Sequence, residues 1–130
     1  MDILFRAKRP GDGIWVYGTL HITEDGGAYI INGTPADPDW EPVSPDTVGM
    51  YTGLRDKRGG MIFDGDIVRM LGQYFEVHWG EKNARFELRR LRQASVVTST
   101  GKFLHTKDLP EGMIVGNIWD TPELKRGDRG

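Results

Sequence analysis

The sequence predicts a mainly β fold, a single domain with an antiparallel, barrel-like or rolled sheet. Three observations carry this. Apolar and polar residues alternate through the middle of the chain, the period of a strand with one face in a core. Turn signals recur about every 8–12 residues, which corresponds to roughly eight to ten short strands. The 130 residues include 18 glycines and 7 prolines, a composition of many turns and few long helices.

The elements follow in order. Ile3 to Ala7 alternates weakly and ends before Pro10, so it reads as a strand. In "GDGIWVYGTLHI", Ile14, Val16, Leu20 and Ile22 share one parity, while Trp15 and Tyr17 stand on the other. That pattern predicts a strand buried on both faces. "EDGG" turns the chain and "AYIIN" returns as a hairpin strand. Residues 33–46 carry Pro35, Pro38, Pro42 and Pro45 with Asp37, Asp39, Glu41 and Asp46. Proline withholds a donor and fixes φ, so this segment reads as an extended, acidic surface loop. Trp40 is its only large apolar group. It either pins the loop to the body or faces a partner.

"TVGMYTG" is β-branched and aromatic, hence a strand. Ile62 to Leu71, Gln73 to Trp79 and Ala84 to Leu91 form a predicted meander at the centre of the sheet. Phe75, Val77 and Trp79 share one face, facing Ala84, Phe86 and Leu88. "SVVTST" and "MIVGNIW" are two further short strands. The tail 121–130 offers at most one helical turn, with Asp120 or Thr121 as cap and Pro122 first, and then frays. No internal repeat is visible.

Composition bounds the chemistry. The net charge is −2 and there is no cysteine, which excludes disulfides, thiolate metal sites and a cysteine nucleophile. "MDILFRAKRP" lacks the apolar run of a signal peptide, and no window is long and apolar enough to span a membrane. The expectation is a cytoplasmic protein without membrane contact.

The densest cluster of chemistry is "YTGLRDKRGGMIFDGDIV", Tyr51 to Val68. Asp64 and Asp66 flank Gly65, and extended spacing would put both carboxylates on one side. A metal site or an acid–base pair uses such a pair. The following "IVRML" supplies no further oxygen ligands. The pair therefore reads as a tight turn: Asp64 bonding backbone, Gly65 at positive φ, Asp66 opening a strand. A metal-dependent hydrolase or nuclease at Asp64 and Asp66 is the least favoured function. "RDKRGG" lacks the glycine–lysine pattern of a phosphate loop and no helix follows it. His21, His78 and His105 show no metal-ligand spacing, and Ser44, Ser95 and Ser99 lack a nucleophile context. No catalytic, cofactor or metal residue is assigned.

This same stretch resembles the signature of the YopX family, small proteins encoded mainly by phages and prophages. "FRAK" at Phe5 to Lys8 is similar to the family's N-terminal motif, with Lys8 where tryptophan usually stands. "VHW" at Val77 to Trp79 and "VGNIWDTPEL" at Val115 to Leu124 resemble its later motifs. The resemblance implies a β-rich fold and a phage or prophage setting. It implies no catalytic residues. Tyr51, Gly53, Gly65 and Asp66 are then a structural signature.

Charge is separated along the chain. Residues 24–46 hold six acids and no base, while "KNARFELRRLR" holds five bases, Lys82, Arg85, Arg89, Arg90 and Arg92, against Glu87. With Phe86 and Leu88 inward, Arg85 and Arg89 face outward. In order of preference, this strand is a solvated or charge-protected edge, a patch for self-association or another protein, or a track for nucleic acid with Tyr74 and His78 as stacking groups. The expected function is that of a non-catalytic accessory protein acting by protein–protein contact, with nucleic-acid binding the alternative.

Overall fold

A computed structural model describes residues 4–91 and 106–126 of the chain. The predicted strand at 95–100 and the candidate residue Arg92 lie outside the described residues. The fold is mainly β, as the alternation predicts, with ten strands in two antiparallel sheets among the described residues. Contacts divide the chain into two compact units, Met1–Tyr51 and Thr52–Gly130.

The first unit contains β1 (Phe5–Lys8), β2 (Trp15–Ile22), β3 (Ala28–Gly33), β4 (Pro38–Val43) and the start of β5 (Gly49–Arg55). Their order is β4-β3-β2-β1-β5. Register places Ala7 opposite Val16, Leu20 opposite Ile30, and Ala28 opposite Val43. These residues form one face, where Ala7, Ala28, Ile30 and Val43 are buried and Phe5, Val16, Leu20 and Val48 pack against them. A short 3₁₀ turn, Pro45–Thr47, closes on β1: the Thr47 hydroxyl accepts from the Lys8 N–H at 2.9 Å.

Two expectations change here. β2 is not buried on both faces: Tyr17 is 42% exposed, and His21 is exposed as well. Aromatic residues satisfy strand propensity on a pleated surface without entering a core, so their presence on the second face did not signal burial. The acidic segment 33–46 is not a loop throughout, because 38–43 is β4, the terminal strand of its sheet. Pro38 and Pro42 permit this because they share one parity. A Cβ at Gly18 would lie 2.4 Å from the Ile31 carbonyl oxygen, so Ile31 directs its backbone groups to β2. Its neighbours Ile30 and Asn32 therefore bond β4 through Glu41 and Asp39. The missing donors of Pro38 and Pro42 fall on the outer edge, where no ladder bond is lost.

The second unit contains the rest of β5, β6 (Met61–Phe63), β7 (Asp66–Met70), β8 (Gln73–Gly80), β9 (Arg85–Arg90) and β10 (Met113–Asn117). A 3₁₀ stretch, Thr106–Glu111, precedes β10, and α1 (Pro122–Arg126) begins on Pro122 as expected. The four-stranded sheet runs β10-β7-β8-β9. Its core is Ile62, Val68, Met70, Phe75, Val77 and Leu109, with Leu54, Phe86, Leu88 and Ile114 packed against it. Phe86 meets Trp79 edge-on at 4.9 Å. The predicted run Ile62–Leu71 is two strands, interrupted at Asp64–Gly65. Its end, Leu71–Gly72, has positive φ at both residues (51° and 73°), the geometry of a tight hairpin. Ala84 is not in β9 either; with φ 50° it belongs to the turn before it. Among the described residues no helix is long and apolar enough to cross a membrane.

Candidate interaction surface and the signature turn

The signature from Tyr51 to Val68 is built of turns held by backbone hydrogen bonds. Gly53 takes φ 86° inside β5, and the preceding Thr52 hydroxyl donates to the Ile62 carbonyl at 2.8 Å and accepts from the Leu54 N–H at 3.1 Å. This couples β5 to β6 around a residue that only glycine fits easily. Tyr51 donates its own backbone N–H to the Leu4 carbonyl at 2.8 Å.

Asp56 organises the charged tip. Its carboxylate accepts from the N–H groups of Arg58 (3.0 Å), Gly60 (2.8 Å) and, from β10, Ile114 (3.0 Å). Partial burial pushes this carboxyl up, but the three donors outweigh it and hold it below the usual carboxylate range. A carboxyl lowered on folding stabilises the protein above its unfolded value of about 3.9, and that contribution disappears as pH falls through the lower, folded value. Asp56→Asn should therefore be less stable than wild type at neutral pH, with the gap closing in acid. Denaturant melts of both proteins between neutral pH and pH 2 check this; a gap that widens in acid would contradict it.

The Asp64–Gly65–Asp66 turn is equally structural. The Asp66 carboxylate, 1% exposed, accepts from the Phe63 N–H at 2.8 Å. Asp64 accepts from the Trp79 N–H at 3.2 Å. Gly65 has φ 93°, donates to the Val77 carbonyl at 2.8 Å and accepts from the Ile118 N–H at 3.0 Å. Both carboxylates thus face backbone donors, as a turn requires. The C-terminal motif closes on this turn. The Asn117 side-chain carbonyl accepts from the N–H groups of Trp119 (3.0 Å) and Asp120 (2.8 Å), and Thr121 bonds Asn117 in both directions.

The basic strand β9 is the terminal strand of its sheet among the described residues. Arg85 and Arg89 do face outward, with side chains 70% and 50% exposed. Carboxylates interrupt them: Arg89 lies 3.5 Å from Glu76 and Arg85 lies 3.6 Å from Glu87, which stands opposite His78. Lys82 and Arg90 are exposed, and neither has an ion pair among the described residues. A continuous phosphate track needs uninterrupted cations, and Glu76 and Glu87 break this one.

Across the first unit, the sheet face opposite the core gathers aromatic groups from three strands. Register sets His21 against Tyr29, and Ile31 against Trp40. Trp40 is 48% exposed and meets His21 edge-on at 5.2 Å and Tyr29 at 5.9 Å. Tyr17 lies on the same face as His21. Trp40 therefore anchors β4 to β3 and β2 and leaves about half of its surface exposed. Further along this face, Arg6 and Lys8 stand over the Trp15 ring at 4.4 and 5.3 Å. The meeting of His21 and Tyr29 with Trp40 was not legible beforehand, because it depends on the register of three strands. The shared parity of Trp15, Tyr17, Thr19 and His21 was its only sequence signal.

Charge divides unevenly along the chain. Residues 1–51 hold three bases and eight acids, net −5, and residues 52–130 hold fourteen bases and eleven acids, net +3. Arg9 binds Asp12, which it holds down at about 2, and approaches Glu41 at 3.7 Å. Asp37 and Asp39, on either side of Pro38, are exposed and have no cation beside them among the described residues.

Two antiparallel sheets, with glycines and aspartates of this chain committed to turns, place it among small, mainly β proteins. The profile of the family described as YopX protein matches residues 4–125, and the chain belongs to the YopX family. Among solved structures it is similar to protein EF1440 from Enterococcus faecalis, at 22% identity and a TM-score of 0.54 over 95% of this chain and 98% of that one. At that identity the likeness is one of fold. No curated protein matches the chain in sequence.

Proposed function

We propose that this YopX-family protein is a non-catalytic, cytoplasmic accessory protein of the phage or prophage type, and that it binds a cationic protein segment, its own or another protein's. The binding surface is the aromatic face at the edge of β4. One observation carries this: a half-exposed Trp40, held edge-on by His21 and Tyr29, on the terminal strand of a unit whose residues 1–51 are net −5. Trp and Tyr supply large, rigid contact area at little entropic cost, and an open aromatic ring attracts guanidinium and ammonium groups. The edge does not favour strand addition, because of Pro38, Trp40 and Pro42 only Trp40 has an outward N–H. Recognition then rests on side chains.

The test is fluorescence anisotropy with two labelled probes, an arginine-rich peptide and a single-stranded oligonucleotide. The peptide should bind, Trp40→Ala should weaken it by about tenfold or more, as loss of an interface anchor does, and salt should screen it. Tight oligonucleotide binding with no response to the peptide would move the assignment to nucleic acid.

A further inference from the structure

We infer that two copies of this chain pair β9 to β9, antiparallel, about a two-fold axis at Leu88. The direction of the β9 backbone is the first ground. The Leu91 N–H donates to the Tyr74 carbonyl at 2.9 Å, whereas the Val77 carbonyl, opposite Leu88, accepts from the Gly65 N–H at 2.8 Å. Bonded and non-bonded pairs alternate along an antiparallel ladder. Arg85, Glu87 and Arg89 therefore bond β8, while Phe86, Leu88 and Arg90 turn their N–H and C=O groups outward. Among the described residues no strand takes those groups. Two other terminal strands are blunted: β4 carries Pro38 and Pro42, and β10 has its Ile114 N–H taken by the Asp56 carboxylate at 3.0 Å. β9 has no proline, and an unblunted edge is a template for a further strand.

The second ground is that β9 is complementary to itself. Of the registers open to outward-facing residues 86, 88 and 90, only the one centred on Leu88 pairs all three: Leu88 with Leu88 and Phe86 with Arg90. Between them Glu87 falls opposite the second copy's Arg89, and Arg89 opposite the second copy's Glu87. These are non-bonded pairs, where side chains approach closest. Both residues have the same parity and lie on the face away from the core. Glu76 is 3.5 Å from Arg89 on the β8 side, and Arg85 is 3.6 Å from Glu87. Charges then alternate across the joined sheets, from Glu76 to Arg89 to the second copy's Glu87. On the other face, Phe86 and Leu88 are half-buried against the core, and the second Leu88 extends that layer across the axis. Like meets like in this contact, so it is isologous and closes at two copies. A contact of one short strand is small, so the dimer depends on concentration.

Sedimentation equilibrium over a concentration series tests this. The wild type should rise from the 14.7 kDa of one chain towards twice that mass. Glu87→Arg sets like charges opposite each other in both symmetric contacts, and Arg89→Glu does the same with the opposite sign. Each alone should weaken the dimer by about tenfold or more. Mixed in equal amounts, they restore both opposite-charge pairs, so the mixture should dimerise like the wild type. Arg90→Pro removes an outward N–H at an edge position that tolerates proline, and should give a folded monomer. Circular dichroism melts establish that each variant folds; if Arg89→Glu does not, Glu87→Arg and Arg90→Pro still decide. A wild type that stays monomeric, a dimer indifferent to Glu87→Arg and Arg90→Pro, or folded variants whose mixture stays monomeric would each overturn the β9 contact. So would a Leu88 N–H that resists hydrogen exchange in the monomer, because the edge would then be paired within one chain. None of these changes touches Trp40, so their failure leaves the peptide-binding reading standing.

Discussion

Gly65→Val should destabilise the protein by about 3–5 kcal/mol, combining backbone strain at positive φ with overpacking. At φ 93° a β-branched residue is strained whatever space surrounds it. Here there is no space either: a Cβ at Gly65 would lie 2.3 Å from the Trp119 ring. The glycine is also bonded on both sides, to Val77 and Ile118, so the turn cannot shift without breaking its ties to β8 and to the segment after β10. The two causes separate in a double-mutant cycle. Trp119→Ala opens the space but leaves the φ strain, so Gly65→Val should cost less in that background and still cost something. A melting temperature unchanged by Gly65→Val would contradict the turn.

Phe75→Ala should cost about 3–5 kcal/mol, the usual penalty for truncating an aromatic core residue. Phe75 is 6% exposed on β8, opposite Val68, and packs in the cluster with Ile62, Val77 and Leu109. Total stability in small domains is about 5–15 kcal/mol, so this single change removes a large share of it. Phe86→Ala should cost distinctly less. Phe86 is half-buried on the terminal strand, with Trp79 on one side. Equilibrium urea unfolding of both variants ranks them, and an equal or reversed ranking would mean that β9 belongs to the core as fully as β8.

The signature turn was readable because its chemistry is local. Asp64, Gly65 and Asp66 encode a turn through side chain–backbone bonds spanning a few residues and one positive φ, and the structure places those groups accordingly. What the turn holds was not readable. Trp119 lies 54 residues from Gly65 in the chain, and only the folded molecule shows its ring filling the place of the missing side chain. The same division explains the basic strand. Alternation put Arg85 and Arg89 outward correctly, but the buried Glu76 facing Arg89 sits on a different strand, and register chose it.

The proline-rich segment shows the limit most directly. Its composition excluded a helix and a central strand, and it is neither. Whether it would pair at all depended on the direction of the Ile31 carbonyl and on Pro38 and Pro42 falling together on the outer side of β4. Strand period, turn positions, family membership and the polarity of each stretch are properties of neighbouring residues, and the amino-acid sequence determined them alone. Tertiary structure decided which strands lie side by side, that the alternating aromatics of β2 remain outside the core, and that Trp40 meets His21 and Tyr29. Pairing register links residues far apart in the chain, and no local pattern encodes it.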